Sequence, residues 1–150
     1  MTIETDLPDL SVFRPDRPGI RKVLGDLEAD IMEIIWAQPL EKGTTVRDVF
    51  EKLYKERAIA YTTVMNTMTR LAKKRVLRTE KQEQAYVYYP SFTQDEFILR
   101  FVGHVLENLL VSFAGPTLDR LDHMPDQHAA DQARRLLAEI ARRRAAEEDK

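Results

Sequence analysis

The side chains able to do specific chemistry concentrate between Tyr61 and Lys81. Thr62, Thr63, Asn66, Thr69, Arg70 and Lys73 recur there at intervals of three and four residues, the spacing of one helical face. Hydroxyls and a carboxamide so placed donate and accept hydrogen bonds at base edges in a DNA major groove, and cations one or two turns later meet phosphates. The stretch carries Arg70, Lys73, Lys74, Arg75, Arg78 and Lys81 against Glu80 alone, a local charge of +5. A charge run is most often a solvated helix face, and from charge alone that reading and a phosphate-binding stripe stand level. Composition separates them. A routine exposed face alternates Glu and Lys, whereas three threonines cost helical propensity and call for another reason.

Other chemistries find little support. The 150 residues contain no cysteine, which removes disulfides, thiolate metal sites and thiol nucleophiles. There is no Gly-x-Ser-x-Gly motif and no Gly-rich phosphate loop. The histidines are His104, His123 and His128. His104 lies a turn from Glu107, and His123 follows Asp119 and Asp122, but no Glu-x-x-His pair from two helices joins them, so scattered polar surface is the better account. No catalysis, no cofactor and no metal are expected.

Summed over the chain, 23 Lys and Arg face 25 Asp and Glu, a formal charge of −2. That excludes a uniformly basic nucleic-acid coat protein and an acidic disordered tail, but not DNA binding, because the sum conceals where the charges sit. With 43% apolar and 32% charged residues, the composition suits a soluble, largely helical protein. No apolar run reaches the roughly 20 residues of a membrane span, and Met1–Asp9 lacks the basic start of a signal peptide. A cytoplasmic protein without membrane insertion is expected.

The elements that must position these residues follow from periodicity. Residues 1–23, with Pro8, Pro15, Pro18 and Gly19, predict a flexible arm. Leu24, Leu27, Ile31, Ile34 and Ile35 predict a helix that Asp26 caps and Pro39 ends. Thr45 with Asp48 makes a capping box for a second helix through Val46, Val49, Phe50 and Leu53. A third helix, 61–74, turns Tyr61, Val64, Met65, Met68, Leu71 and Ala72 inward. Two strand-like runs, Val76–Lys81 and Ala85–Tyr89, flank a turn at Gln82–Gln84. Helices followed by a hairpin, with the most polar helix just before it, is the layout of a winged helix-turn-helix.

Beyond Pro90, Thr93–Glu96 forms another capping box, and a helix runs until Gly115-Pro116 stops it. A final helix spans about Asp126 to Glu147. Phe97, Phe101, Val105, Leu109, Leu110 and Phe113 make the first of these helices apolar over more than one face, and Leu136, Leu137 and Ile140 lie on a narrower apolar stripe of the last. A second copy of the chain is preferred over an intramolecular bundle as the cover. The expected fold is mainly α with a small β-hairpin wing: an arm (1–23), a winged helix-turn-helix DNA-binding domain (24–90) and a C-terminal helical dimerisation region (91–150).

The ordered series Leu24-Gly25-Asp26-Leu27-Glu28, Ile34-Ile35-Trp36, Thr45-Val46-Arg47-Asp48-Val49, Ala60-Tyr61-Thr62-Thr63-Val64-Met65, Arg70-Leu71-Ala72-Lys73-Lys74 and Tyr86-Val87-Tyr88-Tyr89-Pro90 resembles the penicillinase-repressor family of winged-helix transcriptional repressors. The family includes beta-lactamase, methicillin-resistance and copper-resistance repressors, and the likeness covers about residues 24–113. It implies a homodimer on a palindromic operator in double-stranded DNA, with 61–74 as recognition helix. In its beta-lactam branch, a membrane sensor protease triggers cleavage of the dimerisation helix, and the matching bond here is Ser112–Phe113. Two departures stand out: Arg75 replaces the usual glycine after the recognition helix, and Gln82-Glu83-Gln84 replaces a wing turn with Gly and Arg.

On this reading Thr62, Thr63 and Asn66 address base edges. Arg70, Lys73, Lys74 and Lys81 hold phosphates or reach guanine, and Tyr61 anchors the helix start. The rival is a winged helix that serves as a protein-interaction module without touching DNA. Such a module would expose apolar or acidic groups on the third helix.

Overall fold

The computed structural model of the chain describes residues 12–148. The side chains of Leu136, Leu137 and Ile140, expected at a dimer seam, lie outside the described residues. Three short helices come first: α1 (Asp26–Trp36), α2 (Val46–Tyr54) and α3 (Tyr61–Lys73). An antiparallel hairpin follows, β1 (Leu77–Gln82) and β2 (Ala85–Pro90), and then α4 (Gln94–Asp122) and α5 (Gln127–Glu148). The chain divides inside α4 into two compact units, the first ending at Ile98 and the second starting at Leu99.

The first unit is the winged helix. Its core gathers Ile31, Met32 and Ile35 of α1, Val49 and Leu53 of α2, Val64, Met68 and Leu71 of α3, and Val76, Leu77 and Tyr88 at the base of the wing. The stripe of α1 is rotated from the expected one: Ala29 and Met32 are buried, while Leu27 and Ile34 stay half-exposed. Gly25, not Asp26, is the cap residue, and its amide donates to Glu28 Oε1 at 2.9 Å. The second helix opens on the expected capping box, with Asp48 N donating to Thr45 Oγ1 at 3.2 Å and Thr45 N to Asp48 Oδ2 at 3.0 Å. Those amide and hydroxyl donors at Thr45 hold the Asp48 carboxyl below its ordinary pKa.

The wing is wider than a hairpin. Thr44 forms an isolated antiparallel bridge with Tyr88, through bonds of 3.0 and 2.9 Å between their backbones. Gly43 makes that approach possible, since a Cβ there would sit 2.1 Å from Val87 Cγ1. The register pairs Gln82 with Ala85 and leaves a two-residue loop, Glu83-Gln84. Glu83 adopts φ +56°, the left-handed geometry that short hairpin loops impose and glycine usually supplies.

From Arg14 to Val23 the expected flexible arm is a docked segment, while residues 1–11 of that arm lie outside the described residues. Arg14 N donates to Lys22 O, a 3-10 turn covers Gly19–Lys22, and Ile20 and Val23 are buried. Arg17 and Arg21 both bond Asp26, Arg21 reaches on to Asp30, and Arg57 closes the chain on Asp30 at 2.8 Å. Arg21 chiefly, then Arg17, holds the Asp26 carboxyl below its usual range. Proline and glycine punctuation signalled the turns here but not these ion pairs.

The opening of α4 belongs to the winged core. Thr93 and Glu96 form the expected capping box. Phe97 is fully buried, its ring 5.4 Å from that of Trp36, whose Nε1 donates to Phe92 O at 2.9 Å. Phe97 therefore spends its side chain inside one copy, which corrects its assignment to a dimer seam. The helix is not stopped by Gly115-Pro116. It breaks at Phe113 (φ −141°, ψ 55°) and resumes to Asp122, because proline is tolerated in the first turn of the resumed segment. By length and composition alone α4 is apolar enough to cross a membrane, although Arg100 and Glu107 interrupt its apolar run.

In the second unit, Phe101, Leu121 and Ala130 are buried. Asp126 Oδ1 caps α5 by accepting from His128 N and Ala129 N at 3.0 and 3.2 Å. Leu109, Val111, Phe113 and Leu118 remain 40–68% exposed.

Candidate nucleic-acid interface

The polar helix is presented by a fixed platform. Val64, Met68 and Leu71 anchor α3 in the core beside Thr67, whose hydroxyl donates to Thr63 O at 2.8 Å and so is buried without cost. Those four positions set the rotation of the helix. Residues half a turn away point outward: Thr62, Asn66, Thr69 and Lys73, flanked by Thr63 and Arg70 on one side and by Tyr61 and Met65 on the other. All eight are exposed. The inward placement expected for Tyr61 and Met65 does not hold: they are 44% and 39% exposed. Tyr61 still anchors the helix start, its ring edge-on to Phe50 with centroids 5.5 Å apart.

The helix exit is a tight stop. Arg75 takes φ +63°. Its amide donates to Ala72 O and that of Val76 to Leu71 O, each at 3.0 Å, the paired bonds of a Schellman motif. Val76 and Leu71, both buried, supply the apolar contact that accompanies it. The left-handed turn is thus kept without its usual glycine, at a backbone cost of about 1–2 kcal/mol.

Five of the six cations of the +5 run separate into two groups. Lys74 Nζ lies 2.8 Å from Glu28 Oε2, and that carboxylate is buried at the start of α1. Arg78 pairs with Glu80 and lies over the Tyr89 ring, 4.5 Å from its centroid. Arg70, Lys73 and Lys81 meet no carboxylate among the described residues and are exposed. Lys81 stands on β1 opposite Tyr86, itself 58% exposed, next to the wing tip.

Sequence reading left two things out. Thr69 sits at the centre of the outward face, where its spacing puts it, yet spacing alone assigns it no base or phosphate role. The Lys74–Glu28 pair joins residues far apart in sequence, and no local signal links them. Of the histidines that sequence places near carboxylates, His123 Nδ1 lies 3.6 Å from Asp119, and His104 lies beside Asn108. Among the described residues no three His, Cys, Asp or Glu side chains gather as a metal site would require.

The same stretch is what known proteins share. A family model described as penicillinase repressor matches residues 24–142. The transcriptional regulator BlaI of Mycobacterium tuberculosis is 35% identical over 120 residues, covering 78% of this chain and 84% of that protein. The penicillinase repressor of Staphylococcus aureus is 25% identical over 95 residues, covering 58% of this chain and 73% of that one. With a match running from the start of the winged unit almost to the end of α5, the chain belongs to the penicillinase repressor family.

Proposed function

We propose that this chain is a transcriptional repressor that binds double-stranded DNA sequence-specifically, as a homodimer on a palindromic operator. The observation that carries the proposal is the outward face of α3, where hydroxyls, a carboxamide and cations without carboxylate partners among the described residues stand on a helix fixed by its core side. An interaction module would display apolar or acidic groups at those positions. The family and the Staphylococcus aureus relative carry the name penicillinase repressor, and the Mycobacterium tuberculosis relative is named a transcriptional regulator, which supports the same reading.

In this mechanism α3 lies in a major groove. Thr62, Thr63 and Asn66 meet base edges, Thr69 lies between them, and Arg70 and Lys73 reach guanine or phosphate. Lys81 contacts the flanking backbone from the wing. We give Lys74 a different role from the one its charge suggested: paired to Glu28, it holds the exit of α3 against α1. Two copies set their α3 helices about 34–36 Å apart, or a multiple of that, to meet two half-sites.

The apolar surface of the second unit is the natural seam between copies. Leu109 and Phe113 are 40% and 59% exposed, and Val105 and Leu110 are half-exposed. Burying such surface in a partner is favourable at about 25 cal/mol per Å². Release follows from the same region. Ser112–Phe113 is exposed and lies at the break in α4, and a bond outside regular helix is open to a protease of the kind that a membrane sensor would trigger.

Binding measurements separate the roles. Asn66→Ala is expected to relax preference at one base position and cost about 1–3 kcal/mol there. Lys73→Ala is expected to weaken binding to all duplexes alike and reduce the salt slope by about one. Titrations of each variant against matched and mismatched duplexes at several salt concentrations check both. Equal losses from Asn66→Ala on every sequence would contradict its assignment to base reading.

A further inference from the structure

Beside its polar row, α3 carries a second row of another character. Thr62, Asn66 and Arg70 follow one another at intervals of four residues, and so do Tyr61, Met65 and Thr69, so the two rows run in parallel along the helix. In the second row the Thr69 hydroxyl donates to Met65 O at 2.9 Å, which spends its proton on the helix itself. Met65 is 39% exposed and Tyr61 44%, next to a face otherwise made of hydroxyls, an amide and cations. A major groove offers a methionine one apolar partner, the C5 methyl group of thymine. Asn66, the next residue, is the side-chain type that pairs with both N6 and N7 of adenine, and an adenine held there brings its paired thymine into the same groove.

We infer that Met65, with Thr69 beside it, reads a thymine methyl group next to the base edges addressed by the polar row, and so selects thymine over bases without that methyl. The inference rests on α3 being the DNA-reading helix. It adds a specificity-determining residue of apolar type to a site whose other members are polar.

Replacing single thymines by deoxyuridine tests it, since only the methyl group is lost. The probe is a duplex that the full chain selects from a random-sequence pool, with affinity read by fluorescence anisotropy. At one thymine of a half-site, uracil is expected to weaken the wild type about four-fold, the worth of one buried methyl group. Met65→Ala is expected to bind the thymine duplex more weakly and to be indifferent to uracil at that position. Met65→Leu should keep the discrimination, and Asn66→Ala should bind more weakly yet still pay the uracil penalty. A penalty of equal size in wild type and Met65→Ala, or no penalty at any thymine of a selected duplex, overturns the role of Met65 and leaves DNA reading by α3 standing. Failure of the wild type to select any duplex overturns both.

Discussion

Phe97→Ala is expected to destabilise the winged unit by about 3–5 kcal/mol, the range for a large aromatic removed from a packed core. Phe97 is fully buried within a single chain, and its ring lies against Trp36. A swing of Trp36 into the space would break the bond from its indole N–H to Phe92 O at 2.9 Å. Collapse of the cavity is thereby opposed, which places the cost within the range for a poorly refilled site. Leu109→Ala, at a side chain already 40% exposed, should cost the fold of one copy less than about 1 kcal/mol. Urea unfolding of the two variants, followed by tryptophan fluorescence, compares them directly. A loss under about 1 kcal/mol for Phe97→Ala would return that residue to the seam between copies.

A chain cut after Val102 is expected to bind a palindromic duplex about 10²–10⁴-fold more weakly than the full chain, and to match it on a single half-site. Coupling two half-sites through one dimer turns the second binding step into an intramolecular one, and that is worth about this factor. The cut must fall there and not after Pro90, since the shorter piece lacks Phe92 and Phe97 and with them the contacts that close over Trp36. Sedimentation should report the truncated chain as a monomer and thermal melting should report it as folded. Full affinity for the palindrome in a monomeric, folded truncation would contradict the role proposed for the second unit.

Much of the fold is legible where local rules decide it. Both capping boxes, Thr45–Asp48 and Thr93–Glu96, stand where their spacing puts them. The hairpin follows from its β-branched and aromatic runs. What escaped depends on partners distant in sequence. An apolar period shows that a face will be covered but not by what, so Phe97 is as good a dimer residue as a core residue until Trp36 is seen against it. A lysine in a basic run carries no mark of its counter-ion, so Lys74 and Lys73 look alike although only Lys74 is held by Glu28. One residue has no periodicity, so the bridge of Thr44 to Tyr88 leaves no trace beyond the glycine before it. Arg75 and Glu83 adopt positive φ where composition would demand glycine, because the surrounding bonds over-determine the turn.

The outward set on α3 was largely readable, since threonines, an asparagine and cations at helical spacing are unusual for a plain exposed face. Its exact rotation was not: Tyr61 and Met65, expected inward, stand outward instead. Thr67 completes the inward stripe in place of Tyr61 and Met65, since a buried threonine satisfied by its own helix behaves as an apolar residue.

The central claim is that α3 reads DNA sequence, and one measurement tests it most directly. Thr63, Asn66 and Arg70 are exposed side chains, so replacing all three with alanine should leave thermal unfolding nearly unchanged. The measurement is the ratio of affinities for a duplex selected by the wild type and for an unrelated one, in the same salt. Three lost contacts at about 1–3 kcal/mol each predict a fall of at least about 10²-fold in that ratio. A folded triple variant that keeps both its affinity and its preference would show that the reading surface lies elsewhere.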